Sequence, residues 1–368
     1  MAEDIQQRVT AIGLMPRNSG MDYRHVGRCG LMASAIGVGC FPFGGFVRQD
    51  AVQAVVDQAL ELGINYFDTA NSYGLGKSEE ALGAALQGGK RRQALIATKF
   101  GNRMGDGPND VGNSRMAVIN ACEASLKRLN TDYIDLYQVH WPDHDTPIEE
   151  TLRALDDLIR AGKVRYVGAS NFFAWELCEA HFTAEKFGLP RFISAQDHYS
   201  LLYRDIEKRF EPYCLKYGVG MTHYFPLAGG MLTGAYTRGS VTPGTRQANN
   251  PNTAAWQSDR NWRVQEQLLA FAQARGWTLA QMSLAWLLQR KATFTVIAGA
   301  DKPQHLVENV KALQLRFTPE DLTEIDRITL VDEDRSVAPP YRTLRPEKVH
   351  EFEPMQRARA GAPSRAAH

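Results

Sequence analysis

The stretch GINYFDTANSY, residues 63 to 73, decides the reading of this chain. Ile64 to Phe67 is a short, largely apolar run entered from Gly63 and ended by Asp68, Thr69, Asn71 and Ser72, the pattern of a buried strand that runs into a polar loop. An aspartate at such a strand end, with Tyr73 five residues on, is placed to meet groups from neighbouring strands. Two later strands end in suitable ones, Lys99 in ALIATK and His140 in YIDLYQVH.

Outward from this stretch the same alternation repeats. Upstream, Gly27 to Gly30 turns a hairpin into a first buried strand near Ser34 to Val38. Asp50 then caps a helix carrying Val52, Val55, Val56, Ala59 and Leu60 on one face, and Gly63 stops it. Downstream, helix signals after Ser78 (78–87) lead to strand 94–99. A helix capped by Ser114 carries Ile119, Cys122, Leu126 and Leu129 and leads to strand 133–140. A helix with Ile148, Leu152, Leu155 and Ile159 precedes strand 164–170. Helix to 187, strand 192–196, helix 204–217 and strand 219–225 follow. After a loop over 228–258 come helices 260–275 and 278–290, strand 294–300, and helices 303–312 and 319–329. Eight strand and helix pairs in strict alternation imply a parallel sheet, which right-handed crossovers close into a (β/α)8 TIM barrel, an α/β fold.

The expected organisation is a polar N-terminal extension over 1–20, one barrel domain over 21–330, and a Pro- and Arg-containing tail over 331–368. With 44% hydrophobic and 23% charged residues the 368-residue chain has an ordinary globular composition, and a net charge of +1 with scattered charges argues against nucleic acid as a partner. Five dispersed cysteines with no CxxC pair read as reduced thiols. Residues 1–20 lack the pattern of a signal peptide, and no apolar run is long enough to span a bilayer, so the expectation is a cytoplasmic protein with no membrane partner. Cys178 and His181 are two lone ligands and make no metal site. The GLGKS of residues 74–78 lacks the first glycine of a phosphate loop, Asn71 standing in its place, and Gly37 and Gly39 lack the third glycine of a Rossmann fingerprint.

Barrel chemistry sits at the C-terminal strand ends, so Asp68, Tyr73, Lys99 and His140 are the candidate catalytic residues. Their joint logic is proton donation to a carbonyl. A phenol titrates near ~10, and lowering that by ~3 units takes about 4 kcal/mol of phenolate stabilisation, which a buried Lys99 beside Tyr73 is expected to supply. Asp68 would keep Lys99 charged, and a neutral His140 would orient the substrate oxygen. None of the four can donate a hydride, so a nicotinamide cofactor is implied. Phe41, Phe43, Phe46, Trp141 and Trp256 are candidate lining for an apolar or bulky carbonyl or alcohol substrate.

The segments GINYFDTANSYG, LIATKFG, DYIDLYQVHWPD, GASNF, AQDHYSLL, YFPLAGGMLTG and VIAGADKPQHLVENV, in this order and spacing, resemble the aldo-keto reductase superfamily over about residues 21–330. The resemblance implies reduction of an aldehyde or ketone, or the reverse oxidation, with NAD(P)H on a (β/α)8 barrel. It makes Asp68, Tyr73, Lys99 and His140 the counterparts of the family's tetrad, with Tyr73 the acid or base. It also implies that Ser170, Asn171 and Gln196 hold the carboxamide and Tyr224 stacks on the nicotinamide. Leu227 and Gly229 would approach the pyrophosphate, and Gly299, Ala300, Lys302, Gln304, Glu308 and Asn309 would surround the adenosine end. The family's usual cofactor is NADP(H), with NAD(H) the alternative here because Asp301 stands beside Lys302 where Ser, Thr or Arg is common. Phe225 replaces a frequent serine. Two other classes compete: a cofactor-binding regulatory subunit with little turnover, since barrels of this family also serve as sensors, and a metal-dependent barrel hydrolase or isomerase, which the lack of a recurring His, Asp and Glu cluster disfavours.

Overall fold

Eight parallel strands close into a barrel in the computed structural model, which describes residues 20–240 and 256–330. A short antiparallel hairpin, β1 (Tyr23–His25) with β2 (Met32–Ser34), precedes it. The barrel strands are β3 (Ile36–Gly39), β4 (Tyr66–Asp68), β5 (Leu95–Phe100), β6 (Ile134–Val139), β7 (Val164–Ser170), β8 (Ser194–His198), β9 (Gly220–Tyr224) and β10 (Thr293–Gly299), which pair in chain order, with β10 closing on β3. This is the (β/α)8 architecture that the alternation predicts. The expected tail, nearly all of the expected extension, and residues 241–255 of the long loop lie outside the described residues.

Helix α1 (Gln49–Glu61) buries Val52, Val55, Val56 and Ala59. Gly63 ends it at φ 79°, where the Ile64 amide reaches back to the Ala59 carbonyl at 2.8 Å and turns the chain into β4. Its start differs from the expectation. Arg48 is the N-cap residue and gives no side-chain cap, while Asp50 sits inside the first turn, where its charge faces the positive end of the helix. Ser78 likewise lies inside α2 (Lys77–Ala85), which Gly76 precedes. Its hydroxyl is buried, donating to the Cys40 carbonyl at 2.7 Å. Ser114 does cap α3 (Arg115–Leu129), accepting from the Ala117 amide at 3.3 Å. Helix α4 (Ile148–Arg160) buries Leu152, Leu155 and Leu158 against the barrel, each such side chain stabilising by about 1.5–3 kcal/mol.

The strands alternate with period two, and that alternation positions the site. Phe67, Ile96, Tyr137 and Val167 point outward into the main core beneath the helices. Tyr66, Ala97, Leu136 and Phe294 point inward, and with Val26 and Ala33 of the hairpin they form a second apolar cluster inside the barrel. Two residues further along the same inward faces come Asp68, Lys99 and Gln138, so the inside of the barrel changes from apolar to polar within one layer. The Gly299–Gly39–Asp68–Ala97 and Lys99–Gln138 neighbours of the ladder fix the height of this polar layer.

The hairpin covers the other end. Tyr23 donates its hydroxyl to the Gly63 carbonyl at 2.6 Å, and Arg24 donates to the Leu288 and Thr293 carbonyls at 2.7 and 3.2 Å. Gly27, at φ 61°, approaches the Gly218 carbonyl so closely that a Cβ would lie 2.4 Å from its oxygen.

Candidate active site

The centre of the polar layer is Lys99, whose side chain is fully buried. Its ammonium donates to Asp68 Oδ1 at 2.5 Å, to the Thr69 carbonyl at 2.9 Å and to the Tyr73 hydroxyl at 3.3 Å. Three acceptors saturate its three protons. Burial pulls the Lys99 pKa down, but the Asp68 carboxylate and the Tyr73 oxygen more than offset this and the net direction is upward, so the ammonium stays charged. The second Asp68 oxygen accepts from Gln196 Nε2 at 2.7 Å and from Gln138 Nε2 at 3.4 Å.

Tyr73 lies in the loop after β4, with its hydroxyl aimed at Lys99 and its ring edge-on to Phe41 (5.2 Å between centroids) and to His140 (5.8 Å). The next residues need unusual backbone, since Gly74 and Leu75 are left-handed at φ 59° and 55°, which turns the chain sharply behind the phenol. The sequence logic expects a lowered phenol pKa. The structure gives the opposite net direction, because burial raises it and the nearby Lys99 charge offsets this only in part, while Asp68 adds to the rise. Tyr73 is therefore held as the protonated phenol at neutral pH. His140 follows the expectation: burial, reinforced by Lys99, holds its pKa well below the usual histidine range, so the ring is neutral. The structure thus brings Asp68, Tyr73, Lys99 and His140 into one cluster.

Beside this cluster runs a second polar set. Asn171, in a left-handed conformation at φ 63°, donates to the His140 carbonyl at 2.9 Å and to Ser170 Oγ at 3.1 Å, and accepts from the Tyr224 hydroxyl at 2.7 Å. Tyr224 is also stacked on His198, which stacks in turn on Tyr203. Leu227 and Gly229 follow in the turn after β9, where Gly229 at φ 64° lies under Trp256. At the end of β10, Gly299 is exposed with open space where a Cβ would be. Ala300 is buried, and α9 (Pro303–Val310) begins at Lys302 with no side-chain cap on its first-turn amides. Gln304 is exposed on α9 and Asn309 is buried. Glu308 is exposed and pairs with Lys311 at 2.6 Å. Asp301 is turned to His305, with its carboxylate 2.6 Å from Nδ1.

The expected aromatic lining divides. Phe41 abuts Tyr73, and Trp141 stacks beside His140 at 6.3 Å. Phe46 is 75% exposed, 6.3 Å from Phe41. Phe43 is buried in the main core, with its amide bound to the Cys40 carbonyl. Trp256 packs on Gly229, Phe225 and His198 rather than on the tetrad side. Two residues that the sequence pattern does not single out also touch the cluster. Gln138 is Lys99's ladder partner, and counting back by two from His140 along the inward face would have found it. Asn102 lies on the loop after β5, where periodicity says nothing. Its Nδ2 is 3.0 Å from both His140 Nδ1 and Ser72 Oγ.

The sequence profile described as "Aldo/keto reductase family" matches residues 35–329. The chain belongs to the aldo/keto reductase family. Among its relatives in this family, a putative voltage-gated potassium channel subunit beta from Schizosaccharomyces pombe is 38% identical over 85% of this chain and 94% of its own length. A probable voltage-gated potassium channel subunit beta from Oryza sativa is 36% identical, over 84% of this chain and 96% of its own. Versiconal hemiacetal acetate reductase from Aspergillus parasiticus is 32% identical, over 83% of this chain and 96% of its own. Membership of the aldo/keto reductases supports an oxidoreductase activity with a nicotinamide cofactor on small carbonyl compounds. Among the described residues no helix is long and apolar enough to cross a membrane, and no group of three or more His, Cys, Asp and Glu side chains is placed to hold a metal ion.

Proposed function

We propose that this protein reduces an aldehyde or ketone to the alcohol, with Tyr73 as the proton donor and NADP(H) as the preferred cofactor. The observation that carries the reading is the Tyr73 hydroxyl 3.3 Å from a fully buried ammonium that is itself paired to Asp68 at 2.5 Å. A bound reduced nicotinamide supplies the hydride. The chain's own residues supply the rest. Tyr73 hands its proton to the substrate oxygen as negative charge develops there. Its upward-shifted pKa does not obstruct this, because an alkoxide, with a basicity near that of hydroxide, is a far stronger base than a phenolate. Lys99 stabilises the phenolate left behind, and Asp68, held by Gln196 and Gln138, keeps Lys99 charged and in place. Phe41 and Trp141 wall the substrate side and exclude water.

The residues fit the cofactor. Ser170, Asn171, Gln196 and Tyr224 form a polar set next to the tetrad that suits a carboxamide and a stacked ring. Leu227 and Gly229 offer close backbone approach at the next turn, and the open Gly299 and the uncapped start of α9 suit the adenosine phosphate end. Ala300, Gln304, Glu308 and Asn309 flank that end, and we assign Lys302 to the 2′-phosphate. The Asp301–His305 pair supports the NADP(H) preference, since it draws the competing carboxylate aside. The single barrel domain is assigned to 21–330.

The test is a panel of aldehydes, ketones and secondary alcohols screened with NADPH, NADH and their oxidised forms, following nicotinamide absorbance. Turnover of apolar or bulky carbonyls is expected, faster with NADPH. A second reading, a cofactor-binding regulatory subunit, is favoured by the names of the potassium channel relatives. Tight cofactor binding with no turnover across the panel would select it.

A further inference from the structure

Asn102 stands outside the four-residue cluster, yet it touches His140, the one member of it whose neutral form has two possible proton positions. The loop that carries it is firmly built. Gly101 turns at φ 108°, and the Gly112 amide closes the loop onto the Gly101 carbonyl at 2.9 Å. Asn113 ties it to the strand end beyond His140, donating its side-chain amide to the Trp141 carbonyl at 2.9 Å and its backbone amide to Asp143 at 2.8 Å. Asn102 Nδ2 is thereby held 3.0 Å from His140 Nδ1 and 3.0 Å from Ser72 Oγ.

An amide nitrogen only donates, so its two protons meet two acceptors here, Ser72 Oγ and His140 Nδ1. A neutral imidazole that accepts at Nδ1 carries its single proton on Nε2. The ring is kept neutral by its surroundings. The titratable groups facing it are the Tyr73 phenol, edge-on at 5.8 Å, and the Lys99 ammonium in its pair with Asp68, and burial adds to the effect of that positive charge. His140 Nε2 makes no hydrogen bond among the described residues, which leaves that N–H available.

We propose that Asn102 is a positioning residue that fixes His140 as the Nε2–H tautomer, so that the neutral ring presents a hydrogen-bond donor to the oxygen that Tyr73 protonates. This rests on the carbonyl-reducing reading of the site. Without Asn102 the ring is free to place its proton on Nδ1, and Nε2 then offers a lone pair that repels the substrate oxygen. The device resembles an oriented catalytic histidine in a triad, with an amide doing the orienting and the polarity reversed: the partner donates to Nδ1 rather than accepting from it.

The experiment combines histidine nitrogen-15 NMR with steady-state kinetics on the full chain, using His140→Gln to assign the ring resonances. Wild type is expected to show His140 as the neutral Nε2–H form at neutral pH. Asn102→Leu removes the donor, and should give mixed tautomers and a fall in kcat of roughly 10²-fold with little change in NADPH affinity. Asn102→Asp reverses the bond, so that a carboxylate accepts from Nδ1–H. Its His140 pKa should rise, and activity should fall as pH increases through that value, a limb that wild type lacks. An Nδ1–H ring in wild type, or an unchanged tautomer in the folded Leu and Asp variants, overturns the proposal. The tautomer is read without turnover, so a wild type that reduces no carbonyl would remove the functional reading and leave the tautomer assignment standing.

Discussion

Lys99→Met keeps the length of the side chain and deletes its charge, and the structure sets what that should cost. Both partners of the ion pair are buried, with Lys99 side-chain exposure of 0% and Asp68 of 4%. Breaking one side of a buried pair costs about 3–5 kcal/mol, because the remaining charge is left uncompensated. Asp68 retains the Gln196 amide at 2.7 Å, a hydrogen bond to a charged group that offsets roughly 1.5 kcal/mol or more of this. The expected loss is therefore about 1.5–3.5 kcal/mol. Asp68→Asn/Lys99→Met removes both charges and should be more stable than Lys99→Met alone. Activity should not recover with stability, because neither variant can stabilise a Tyr73 phenolate. Urea unfolding of the three proteins, together with carbonyl turnover, is the assay. If Lys99→Met is as stable as wild type, or if the double variant is the less stable of the two, the ion pair is not energetically what its burial says. If Lys99→Met turns over normally, the ammonium has no part in the chemistry.

Tyr73→Phe should leave folding and cofactor binding intact and lower the chemical rate by ~10²-fold or more, and single-turnover kinetics showing a near-wild-type rate would remove Tyr73 as the donor. Lys302→Ala should weaken NADPH binding by about ten to a hundredfold, for a charge-assisted contact worth roughly 1.5–3 kcal/mol, while NADH binding barely changes; equal effects on both cofactors in a fluorescence titration would count against its assignment to the 2′-phosphate. His223 is buried beside Thr293, and burial, with Arg290 adding to it, takes its pKa down to about 3. A folded pKa below the unfolded value contributes stability that is fully present above ~6.5 and is lost as pH falls toward 3, and His140 is shifted in the same direction. His223→Gln should therefore lose less stability than wild type between neutral and acid pH, measured by unfolding midpoints; an unchanged acid dependence would show that His223 is not a source of it.

The barrel was legible because its strands are short apolar runs bounded by turn residues, and because three of the four catalytic candidates stand at the end of one. Asp68, Lys99 and His140 follow from that rule alone. What the sequence could not supply was the balance of opposing effects. The upward shift of Tyr73 depends on how deeply the phenol is buried against how near Lys99 comes, and no spacing encodes either. Phe43 reads as lining because it stands between Phe41 and Phe46, yet the turn at Cys40 sends it into the core. Asp50 and Ser78 have the composition of helix caps but fall one or two residues inside their helices, within the usual uncertainty of such boundaries. Asn102 was invisible, since a loop residue carries no period to reveal which ring it will meet.

The hairpin across the far end of the barrel has a consequence for how this molecule tolerates change. Its anchors, from Tyr23 to Gly63 and from Arg24 to Leu288 and Thr293, hold the pole opposite the tetrad, with the apolar layer of Tyr66, Leu136 and Phe294 standing between. Robustness and turnover are thus governed at opposite poles of one molecule. Substitutions in the hairpin can raise or lower resistance to heat while leaving kcat and KM where they were, and loops at the open pole can be exchanged for new specificities without loosening the scaffold beneath them.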